Sequence, residues 1–438
     1  MPPALTAYRL ATAAIAPLLP FWLARRARRG KEIAARLPER YGIAGIARPP
    51  GCLVWVHAAS MGETMSALGM IDALADSALD GRAAADGATV LLTTGTRTAA
   101  ALAQSRARAL HQFAPLDVAA HAARFLDHWR PDAAVFLESE IWPNLLFLES
   151  EIWPNLLAGL DARRIPRFLF NARLSARSAA RWRHAPRLAR TLFGGFQLIA
   201  AQSAPDADAL RGLGLTRVET WGNLKFAAPD LPDDPAARAA LAAAAAGPFI
   251  LAASTHPGED APVIAAHRIL RETRPGLVTI IAPRHPERAA AIAGLAGDLP
   301  VSRRSRGEAP AAGGLYLADT LGELGLFYRL AAISFIGGSL VPIGGHNMIE
   351  AAQLGCPVLT GPHLTNFAEA AATLRAAGAL ADLAGPDDLA PAIATLLDDP
   401  ARRAAMAAAG RTACAGLADL PARLAHIVLA RTVPDKAP

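Results

Sequence analysis

Short apolar runs alternate with helical stretches along most of the chain, and each run ends in small or polar residues. In the first half, the runs are GCLVWVHAAS (51–60), ATVLLTTGT (88–96), DAAVFLE (132–138), IPRFLFNARLS (165–175) and FQLIAAQS (196–203). Strands that alternate with helices form parallel, doubly wound sheets, whose functional groups gather at the carboxyl ends of the strands. The pattern therefore predicts an α/β domain with its site at these strand ends.

The same alternation restarts after AAPDLPDDP (227–235), a connector rich in proline and aspartate. The later predicted strands are PFILAAST (248–255), LVTIIAPRH (277–285), GLYLADT (314–320), AAISFIGGS (331–339) and PVLTGPH (357–363). Two Rossmann-like halves joined by a linker describe the GT-B glycosyltransferase architecture, in which ligands bind in a cleft between the halves. We therefore predict an N-terminal domain at 32–228 and a C-terminal domain at 229–438.

The N-terminus carries an apolar run, LATAAIAPLLPFWLA (10–24), and a basic tail that contains Arg25, Arg26, Arg28, Arg29 and Lys31. A secretory signal has its positive charge before the apolar run, and a spanning helix needs about 20 apolar residues. We expect residues 1–31 to form a membrane-docking helix whose basic tail keeps the rest of the chain in the cytoplasm. A buried core helix is the alternative.

Composition narrows the range of partners. The net charge of +6 suggests phosphates, nucleic acid or an anionic membrane. Nucleic acid is the weakest of these options, because the basic residues are scattered and lack interleaved aromatic residues. The three cysteines, at positions 52, 356 and 414, form no CxxC pair, which indicates a reducing compartment without a cysteine metal site.

One segment of the chain is duplicated: FLESEIWPNLL occurs at 136–146 and, without a change, at 147–157. An insert that continued the following helix would place Pro154 inside it, at a cost of about 3 kcal/mol. Extrusion of the first copy as a loop would instead expose its apolar side chains. We predict that the first copy supplies the strand and two cleft glutamates, Glu138 and Glu140. The second copy should be a strained helical extension or bulge without a catalytic group.

The second half offers an anion site at GGSLVPIGGHNMIE (337–350), a glycine-rich loop that opens a helix. Backbone amides freed by glycines at a helix N-terminus favour phosphate. Glu350, one turn inside that helix, could accept hydrogen bonds from a ribose diol. Two further strand ends, STHPGE (254–259) and PRHPER (283–288), add Arg284, whose guanidinium group can hold a phosphate or carboxylate with two hydrogen bonds.

In the first half, HAASMGE (57–63) follows a strand and turns into a helix. Removal of a proton from a sugar hydroxyl needs a carboxylate or histidine, and Glu63 at the helix start fits this role. His57 could also serve, although a histidine at a strand end more often bonds the backbone. The DxD triplet at 206–208 could indicate a metal-dependent sugar transferase. Its context, SAPDADAL, instead favours acidic residues in a first helical turn.

Together these motifs resemble the transferases of 3-deoxy-D-manno-octulosonic acid (Kdo) in lipopolysaccharide synthesis. The features that match, in family order, are the N-terminal anchor with its basic tail, HAASMGE, TTGTRTAA, ESEIWPN, NARLSARS, GNLKF, STHPGED, APRHPER and GGSLVPIGGHN…GPHLTNF. The chain departs from the family at Met348 and Ala351, where proline is usual, at Ala227, where an acidic residue is usual, and in the duplicated segment.

The resemblance implies an inverting glycosyltransferase at the cytoplasmic face of the inner membrane, with CMP-Kdo as donor, a lipid A precursor as acceptor, and no metal or cofactor. Glu63 matches the family's proposed catalytic base. The acceptor or cleft residues are then Ser60, Gly62, Thr94, Glu138, Glu140 and Arg173. The donor-binding residues are Lys225, Ser254, Thr255, Arg284, Gly337, Gly338, Gly344, Gly345, His346, Asn347 and Glu350.

Two other functions fit parts of the pattern. A nucleotide-sugar epimerase of GT-B-like fold would share the phosphate loop but would have no need of a membrane-docking helix. A membrane-tethered binder of sugar nucleotides, inactivated by the insertion at ESEIWPN, would bind CMP without transferring a sugar.

Overall fold

The computed structural model describes residues 3–76, 88–138, 153–174, 176–245 and 247–432. The chain divides into two compact units. The first consists of Met1–Pro229 together with Leu417–Pro438, and the second is Asp230–Gly416.

The first unit contains a parallel sheet of seven strands in the order β3-β2-β1-β4-β5-β6-β7. Its strands are β1 (Leu53–His57), β2 (Thr89–Thr94), β3 (Leu110–Phe113), β4 (Ala133–Leu137), β5 (Arg167–Ala172), β6 (Phe196–Ala201) and β7 (Val218–Thr220). The chain winds from β1 to one edge and then returns to β4 on the other side of β1. The carboxyl ends of β1 and β4 therefore form the switch point, where such sheets bind ligands.

Helices cover both faces of this sheet. They are α1 (Pro3–Ile15), α2 (Leu19–Arg28), α3 (Leu37–Arg40), α4 (Met61–Asp76), α5 (Arg97–Arg106), α6 (Ala119–Trp129), α7 (Pro154–Ala162), α8 (Ala176–Trp182), α9 (Pro186–Phe193) and α10 (Ala204–Arg211). Alternate side chains of β1 enter opposite cores: Leu53 and Trp55 pack with α6 and α7, whereas Val54 and Val56 pack with α4. Burial on both faces explains why the central strands are continuously apolar.

The second unit repeats this plan with a parallel sheet in the order β10-β11-β9-β8-β12-β13-β14. Its strands are β8 (Phe249–Thr255), β9 (Val278–Pro283), β10 (Val301–Arg303), β11 (Leu315–Leu317), β12 (Ile333–Ile336), β13 (Val358–Thr360) and β14 (Leu380–Asp382). Its helices are α11 (Pro235–Ala244), α12 (Asp260–Thr273), α13 (Ala289–Leu295), α14 (Leu324–Leu330), α15 (Ile349–Gln353), α16 (Ala368–Ala376), α17 (Leu389–Asp398) and α18 (Pro400–Ala415). The switch point lies between β8 and β12, and the predicted doubly wound sheets are confirmed in both units.

Short 3₁₀ helices complete the secondary structure of the described residues. They are Ala16–Leu18, Ala34–Arg36, Leu224–Ala227, Pro286–Arg288, Arg304–Arg306 and Pro386–Asp388.

The last helix, α19 (Leu420–Thr432), corrects the predicted domain at 229–438. It belongs to the first unit, where Leu420, Leu424 and Val428 are buried in the same core as the α4 side chains Met70 and Ile71. The sequence pattern could not show this return, because an amphipathic helix does not reveal which sheet it covers.

The N-terminal segment is also part of the first unit, whereas the sequence suggested a separate part at 1–31. Leu19 and Leu23 of α2 are buried against Leu116 and Val118. The Tyr8 hydroxyl of α1 hydrogen-bonds the buried carboxylate of Asp117. The segment is thus fastened to the body of the unit along one side.

Two helical stretches of the described residues, Leu5–Arg28 and Pro400–Thr432, are long and apolar enough to cross a membrane by length and composition. The second of these comprises α18 and α19, whose apolar side chains Met406, Cys414, Leu424 and Val428 are buried. The first is largely exposed, which suits contact with an apolar surface outside the unit.

Each copy of the duplicated segment contributes to one element: the first to a strand and the second to a helix. β4 ends at Leu137 of the first copy, and α7 begins at Pro154 of the second copy. The prediction that the first copy supplies the strand is confirmed. Of the two forms predicted for the second copy, the helical extension with Pro154 in its interior is wrong, and a bulge would fall outside the described residues. Pro154 lies in the first turn, where its missing N–H costs nothing. The intervening residues 139–152, with Glu140, lie outside the described residues.

Candidate functional site

Glu63 lies at the switch point of the first unit, where α4 begins after β1. Its side chain is buried, and both carboxylate oxygens accept hydrogen bonds. Ala59 N–H donates to Oε2 at 2.6 Å, and Ser60 Oγ donates to Oε1 at 2.8 Å. Ser60 Oγ in turn accepts from Glu63 N–H at 3.3 Å, so the two residues cap the helix reciprocally.

These contacts favour the ionised form of Glu63, because donors and a helix N-terminus stabilise negative charge. A carboxylate has about four acceptor positions, and the two capping contacts use two of them. A side chain added at Gly62 would meet nothing nearer than Ser60 Oγ at 4.0 Å, so there is open space beside this helix start. Glu63 can therefore accept a proton in this position.

His57 is the weaker candidate for a base. It is almost completely buried, and its Nδ1 lies 2.9 Å from Thr93 Oγ1. Burial lowers the pKa of His57 to about 3, with Arg40 as a lesser cause. The ring packs against Trp153 at a centroid distance of 4.3 Å. The geometry agrees with the structural interpretation of this histidine.

Thr94 ends β2 and is buried, with its Oγ1 2.9 Å from His111 Nε2. Burial, and then the charges of Arg36 and Arg40, lower the pKa of His111 to about 4. The Thr94 hydroxyl is therefore engaged with a neutral imidazole, and this contact holds the end of β2 in place. The structure gives it no direct opening to a ligand.

Glu138 follows β4 and is the centre of a polar network. Asn171 Nδ2 donates to its Oε1 at 2.7 Å, and Lys225 Nζ lies 2.9 Å from the same oxygen. Asn171 Oδ1 also accepts from Leu224 N–H at 2.8 Å. Both Glu138 and Asn171 have positive φ, which is rare for side chains other than glycine and common at functional sites.

The network ties Lys225 to Glu138 within the first unit, and the assignment of Lys225 to the donor-binding residues stays a prediction. Lys225 belongs to the first unit, in the 3₁₀ helix that follows β7. Asn171 was missed by sequence analysis. Its signal is its place at the end of β5, next to β4 in the sheet. Arg173, two residues later, has no hydrogen bond or ion pair to another described residue.

The DxD triplet begins a helix, as predicted. Ser203 is the N-cap of α10, and its Oγ accepts from Asp206 N–H at 3.2 Å. Asp206 also accepts from Leu174 N–H at 3.0 Å, and Asp208 pairs with Arg211. Across the described ranges, no cluster of three His, Cys, Asp or Glu residues could hold a metal ion.

In the second unit, the ends of β8 and β12 approach closely. A Cβ at Gly337 would lie 2.6 Å from the carbonyl oxygen of Ser254, so only glycine fits there. Ser254 has a φ of 58°, and the fully buried Thr255 donates to Asp260 Oδ1 at 2.7 Å. Asp260 also pairs with Arg288. Ser254 and Thr255 therefore shape the turn and hold it rigid.

Glu259 occupies the backbone amides at the start of the glycine-rich loop. Its carboxylate is fully buried and accepts from Gly338 N–H at 2.7 Å, Ser339 N–H at 3.1 Å and Leu340 N–H at 3.0 Å. These three amides are therefore taken by a side chain, whereas the phosphate position predicted at the start of α15 stays a prediction. Sequence analysis missed Glu259, because the amides that hold it come about 80 positions later in the chain.

The second half of the glycine-rich loop is tied to itself and to the following segment. Gly344 and Gly345 have φ values of 104° and 80°, and Gly344 accepts a hydrogen bond from Asn366 N–H. Asn347 Nδ2 donates to Glu350 Oε1 at 2.9 Å. Because α15 begins at Ile349, Glu350 lies in the first turn, and the expectation that it lies one turn inside is wrong.

His346 stacks on His256, with ring centroids 4.9 Å apart, planes 7° apart and Nε2 atoms 2.7 Å apart. Burial, and then His256, Arg284 and His285, lower the pKa of His346 to about 4. Burial also lowers the pKa of His256. Arg284 is exposed beside this pair, and its guanidinium group has no partner among the described residues. The exposed guanidinium group of Arg284, beside the two imidazoles, can bind an anion.

Comparisons with known proteins agree with this picture. The family model described as 3-Deoxy-D-manno-octulosonic-acid transferase (kdotransferase) matches residues 35–148 and 145–228, so its match divides inside the duplicated segment. A 3-deoxy-D-manno-octulosonic acid transferase from Bordetella pertussis is 36% identical over 92% of this chain and 94% of its own length. A probable mitochondrial 3-deoxy-D-manno-octulosonic acid transferase from Arabidopsis thaliana is 34% identical over 90% and 88%.

Solved structures share the fold at low identity. A glycosyltransferase from Rickettsia africae has a TM-score of 0.56 at 11% identity and covers 89% of this chain and 100% of its own. UDP-GlcNAc 2-epimerase from Neisseria meningitidis, bound to UDP-GlcNAc, has a TM-score of 0.57 at 14% identity and covers 86% and 100%. These similarities confirm the predicted GT-B fold. They do not distinguish a transferase from an epimerase.

Proposed function

The chain belongs to the 3-deoxy-D-manno-octulosonic acid (Kdo) transferase family, and on this premise we propose that it moves Kdo from CMP-Kdo to a hydroxyl group of the lipid A precursor lipid IVA. The observation that carries the proposal is identity of 34–36% to Kdo transferases over nine tenths of the chain. The glycosyltransferase class follows from the family. The donor, the acceptor and the residue roles are our proposals.

Glu63 is the proposed general base. As the acceptor hydroxyl attacks the anomeric carbon of Kdo, Glu63 takes its proton, a new C–O bond forms, and CMP departs with the electron pair of the broken bond. A single displacement of this kind inverts the configuration at the anomeric carbon. The buried carboxylate of Glu63, which accepts hydrogen bonds from Ala59 and Ser60, is held in place before the acceptor arrives.

The polar network of Glu138, Asn171 and Lys225 belongs to the acceptor side in this proposal. Glu138 is held from two directions, and Lys225 supplies a positive charge in the same unit as Glu63. A lipid A precursor carries phosphate groups, which a partly exposed lysine can attract. Ser60, Gly62 and Arg173 complete the acceptor side, with Thr94 as a buried support.

The donor side lies in the second unit. We propose that the phosphate of CMP-Kdo binds here, where Arg284 supplies a positive charge and the stacked pair of His256 and His346 supplies hydrogen-bonding groups. Glu350 and Asn347, which hydrogen-bond each other, are the proposed contacts of the ribose. A guanidinium group beside the phosphate stabilises CMP as it leaves.

We place the protein on the cytoplasmic face of the inner membrane, where the N-terminal segment lies on the bilayer and does not cross it. Its inner side is fastened by Leu19, Leu23 and the Tyr8–Asp117 hydrogen bond. Its outer side exposes Leu18 by 63% and Phe21 by 76%, and exposed arginines follow. An apolar face bordered by cations suits an anionic lipid surface.

The test is transfer itself. Purified protein is incubated with CMP-Kdo and tetraacylated lipid IVA, and the lipid product is weighed by mass spectrometry. We expect a mass increase of one or more Kdo units. Release of CMP without a heavier lipid would reject the acceptor. Binding of CMP without any turnover would show a non-catalytic binder, and a protein that binds no cytidine nucleotide would reject the donor.

A further inference from the structure

Glu259 is a buried anion held by backbone amides. Four N–H groups donate to its carboxylate: those of Gly338, Ser339 and Leu340 in the loop after β12, and that of His256 after β8 at 2.9 Å. The side chain is fully buried, and no cationic side chain pairs with it among the described residues. Its negative charge is therefore balanced by oriented amide dipoles, as in the amide concavities that bind anions.

A ligand phosphate cannot share these amides with Glu259. The three loop amides already donate to a carboxylate at hydrogen-bonding distance, and a second anion there would face like-charge repulsion in a buried place. The anion of the donor must therefore be met by other groups. The loop instead resembles a phosphate-binding loop that the protein fills itself.

The same four contacts place two imidazoles side by side. Glu259 holds His256 N–H on one strand end and Gly338 N–H on the neighbouring one. His346 packs closely on this arrangement, because a Cβ at Gly338 would lie 3.0 Å from its Cδ2. The Nε2 atoms of the two rings are 2.7 Å apart and hydrogen-bond each other, and the exposed Arg284 lies nearby.

We propose that Glu259 is a positioning residue of the donor site: it fills the anion position of the glycine-rich loop and thereby holds His256 and His346 together, so that the donor phosphate is met by this imidazole pair and Arg284. The inference rests on the proposed function, because it takes a cytidine nucleotide as the ligand. It goes beyond that function by assigning the loop amides to a side chain of the protein.

The test compares CMP with cytidine, which lacks the phosphate, by calorimetric titration. In Glu259→Ala the four amides lose their acceptor, and in Glu259→Gln an NH₂ group faces N–H donors. We expect either change to weaken CMP binding by roughly tenfold or more while cytidine affinity stays the same. Added acetate should restore CMP binding to Glu259→Ala and should not improve binding to the wild type, whereas chloride should help neither.

A matched control removes a carboxylate from the far end of α12, the helix that Glu259 starts, and leaves the loop unchanged. Glu272 is exposed near the end of α12, so Glu272→Gln should bind both probes as the wild type does. His256→Gln leaves Glu259 in place and should also weaken CMP but not cytidine. Thermal unfolding of each variant shows whether it is folded.

Several results would overturn the inference. Unchanged CMP affinity in both Glu259 variants would remove its role, and tighter CMP binding would show that the amides are the phosphate site and Glu259 blocks it. Equal loss for CMP and cytidine, or failure of Glu259→Gln to fold where Glu272→Gln folds, would make Glu259 a support of the whole unit. A wild type that binds neither probe would instead reject the proposed donor.

Discussion

Lys225 Nζ lies 2.9 Å from the carboxylate of Glu138, although the two residues come from distant parts of the sequence. The contact joins the end of β4 to the 3₁₀ helix that follows β7, and Asn171 at the end of β5 donates to the same carboxylate. Two strand ends and a 3₁₀ helix of one unit thus meet in a single charged network. Both charged side chains are mostly buried, at 18% and 15% exposure, so each offsets charge on the other where water does so poorly.

The first prediction concerns this pair. Lys225→Met should lower the unfolding free energy by about 1–3 kcal/mol, because it leaves a partly buried carboxylate without its cation. The double variant Lys225→Met/Glu138→Gln should lose less than the sum of the single changes, as coupled residues do. Chemical denaturation of the four proteins measures the coupling.

The same variant tests the assignment of Lys225 to the acceptor side. Transfer to lipid IVA should fall while CMP affinity stays the same. Arg187→Met, which removes an exposed cation of the same unit outside both the network and the basic tail, is the control. A loss of CMP affinity in Lys225→Met would return this lysine to the donor-binding set.

The second prediction concerns the duplicated segment. Removal of residues 147–157 gives the same chain as removal of residues 136–146, because the copies are identical. Pro143 and Asn144 would then take the places of Pro154 and Asn155 at the start of α7. The shorter connection from β4 should raise the unfolding free energy by about 1 kcal/mol. A calorimetric melting temperature about 2–4 °C higher would follow, whereas a lower one would show that the insert stabilises the fold.

The third prediction concerns membrane docking. Leu18→Ser/Phe21→Ser should weaken binding to anionic vesicles by roughly tenfold or more, because two large apolar side chains leave the bilayer. Both are exposed, so stability should hold. Leu19→Ala is the matched control: this leucine is buried against Leu116 and Val118, and its loss should cost about 2–5 kcal/mol of stability.

Vesicle sedimentation at low and high salt measures the effect, and the basic residues should make binding salt-dependent. Vesicle binding that survives the double substitution would contradict the docking surface. Deletion of residues 1–24 is a poorer test, because it would also strip Leu19 and Leu23 from the core.

The fourth prediction is a pH dependence from Asp117. This carboxylate caps α7 through Asn155 N–H and Leu156 N–H and bonds Tyr8, and burial raises its pKa from 3.8 to about 7. Between these values the folded protein keeps a proton that the unfolded chain has released. This contribution to stability is fully present below the unfolded pKa and is lost as pH rises through about 7.

We therefore expect the melting temperature of the wild type to fall more steeply than that of Asp117→Asn as pH rises from about 5 to about 8. The measurement is differential scanning calorimetry of both proteins across this range. Equal slopes would show that Asp117 does not titrate there. Tyr8→Phe, which removes one hydrogen bond and keeps the carboxylate, should lower stability by about 1 kcal/mol and retain a pH slope.

Much of the fold could be predicted from the alternation of apolar runs. All ten predicted strands are present in the structure, and the four that the pattern missed, β3, β7, β10 and β14, are the edges of the two sheets. Edge strands are short and only partly buried, so they lack the continuous apolar run of a central strand. Leu110–Phe113, with a histidine and a glutamine between two apolar residues, shows how weak that signal is.

The site was partly accessible to sequence. The position of Glu63 at a helix start could be predicted because it depends on neighbours at short range, Ala59 and Ser60, whereas its role as a base stays a prediction. The position of Glu259 could not be predicted, because the amides that it binds lie about 80 positions away in the chain. The helix α19 and the partner of Lys225 were missed for the same reason. Tertiary contacts decide them, and local pattern does not.

The fifth prediction carries the central claim, that Glu63 is the base of a Kdo transferase. Glu63→Gln keeps the shape of the side chain and can still accept from Ala59 N–H, so the helix start should persist and CMP affinity should be unchanged. The most direct measurement is the rate of Kdo transfer to lipid IVA by Glu63→Gln and by wild type, with the lipid product weighed. We expect a fall of about 10²–10⁴-fold. Turnover close to that of the wild type, in a variant that folds and binds CMP, would contradict the claim.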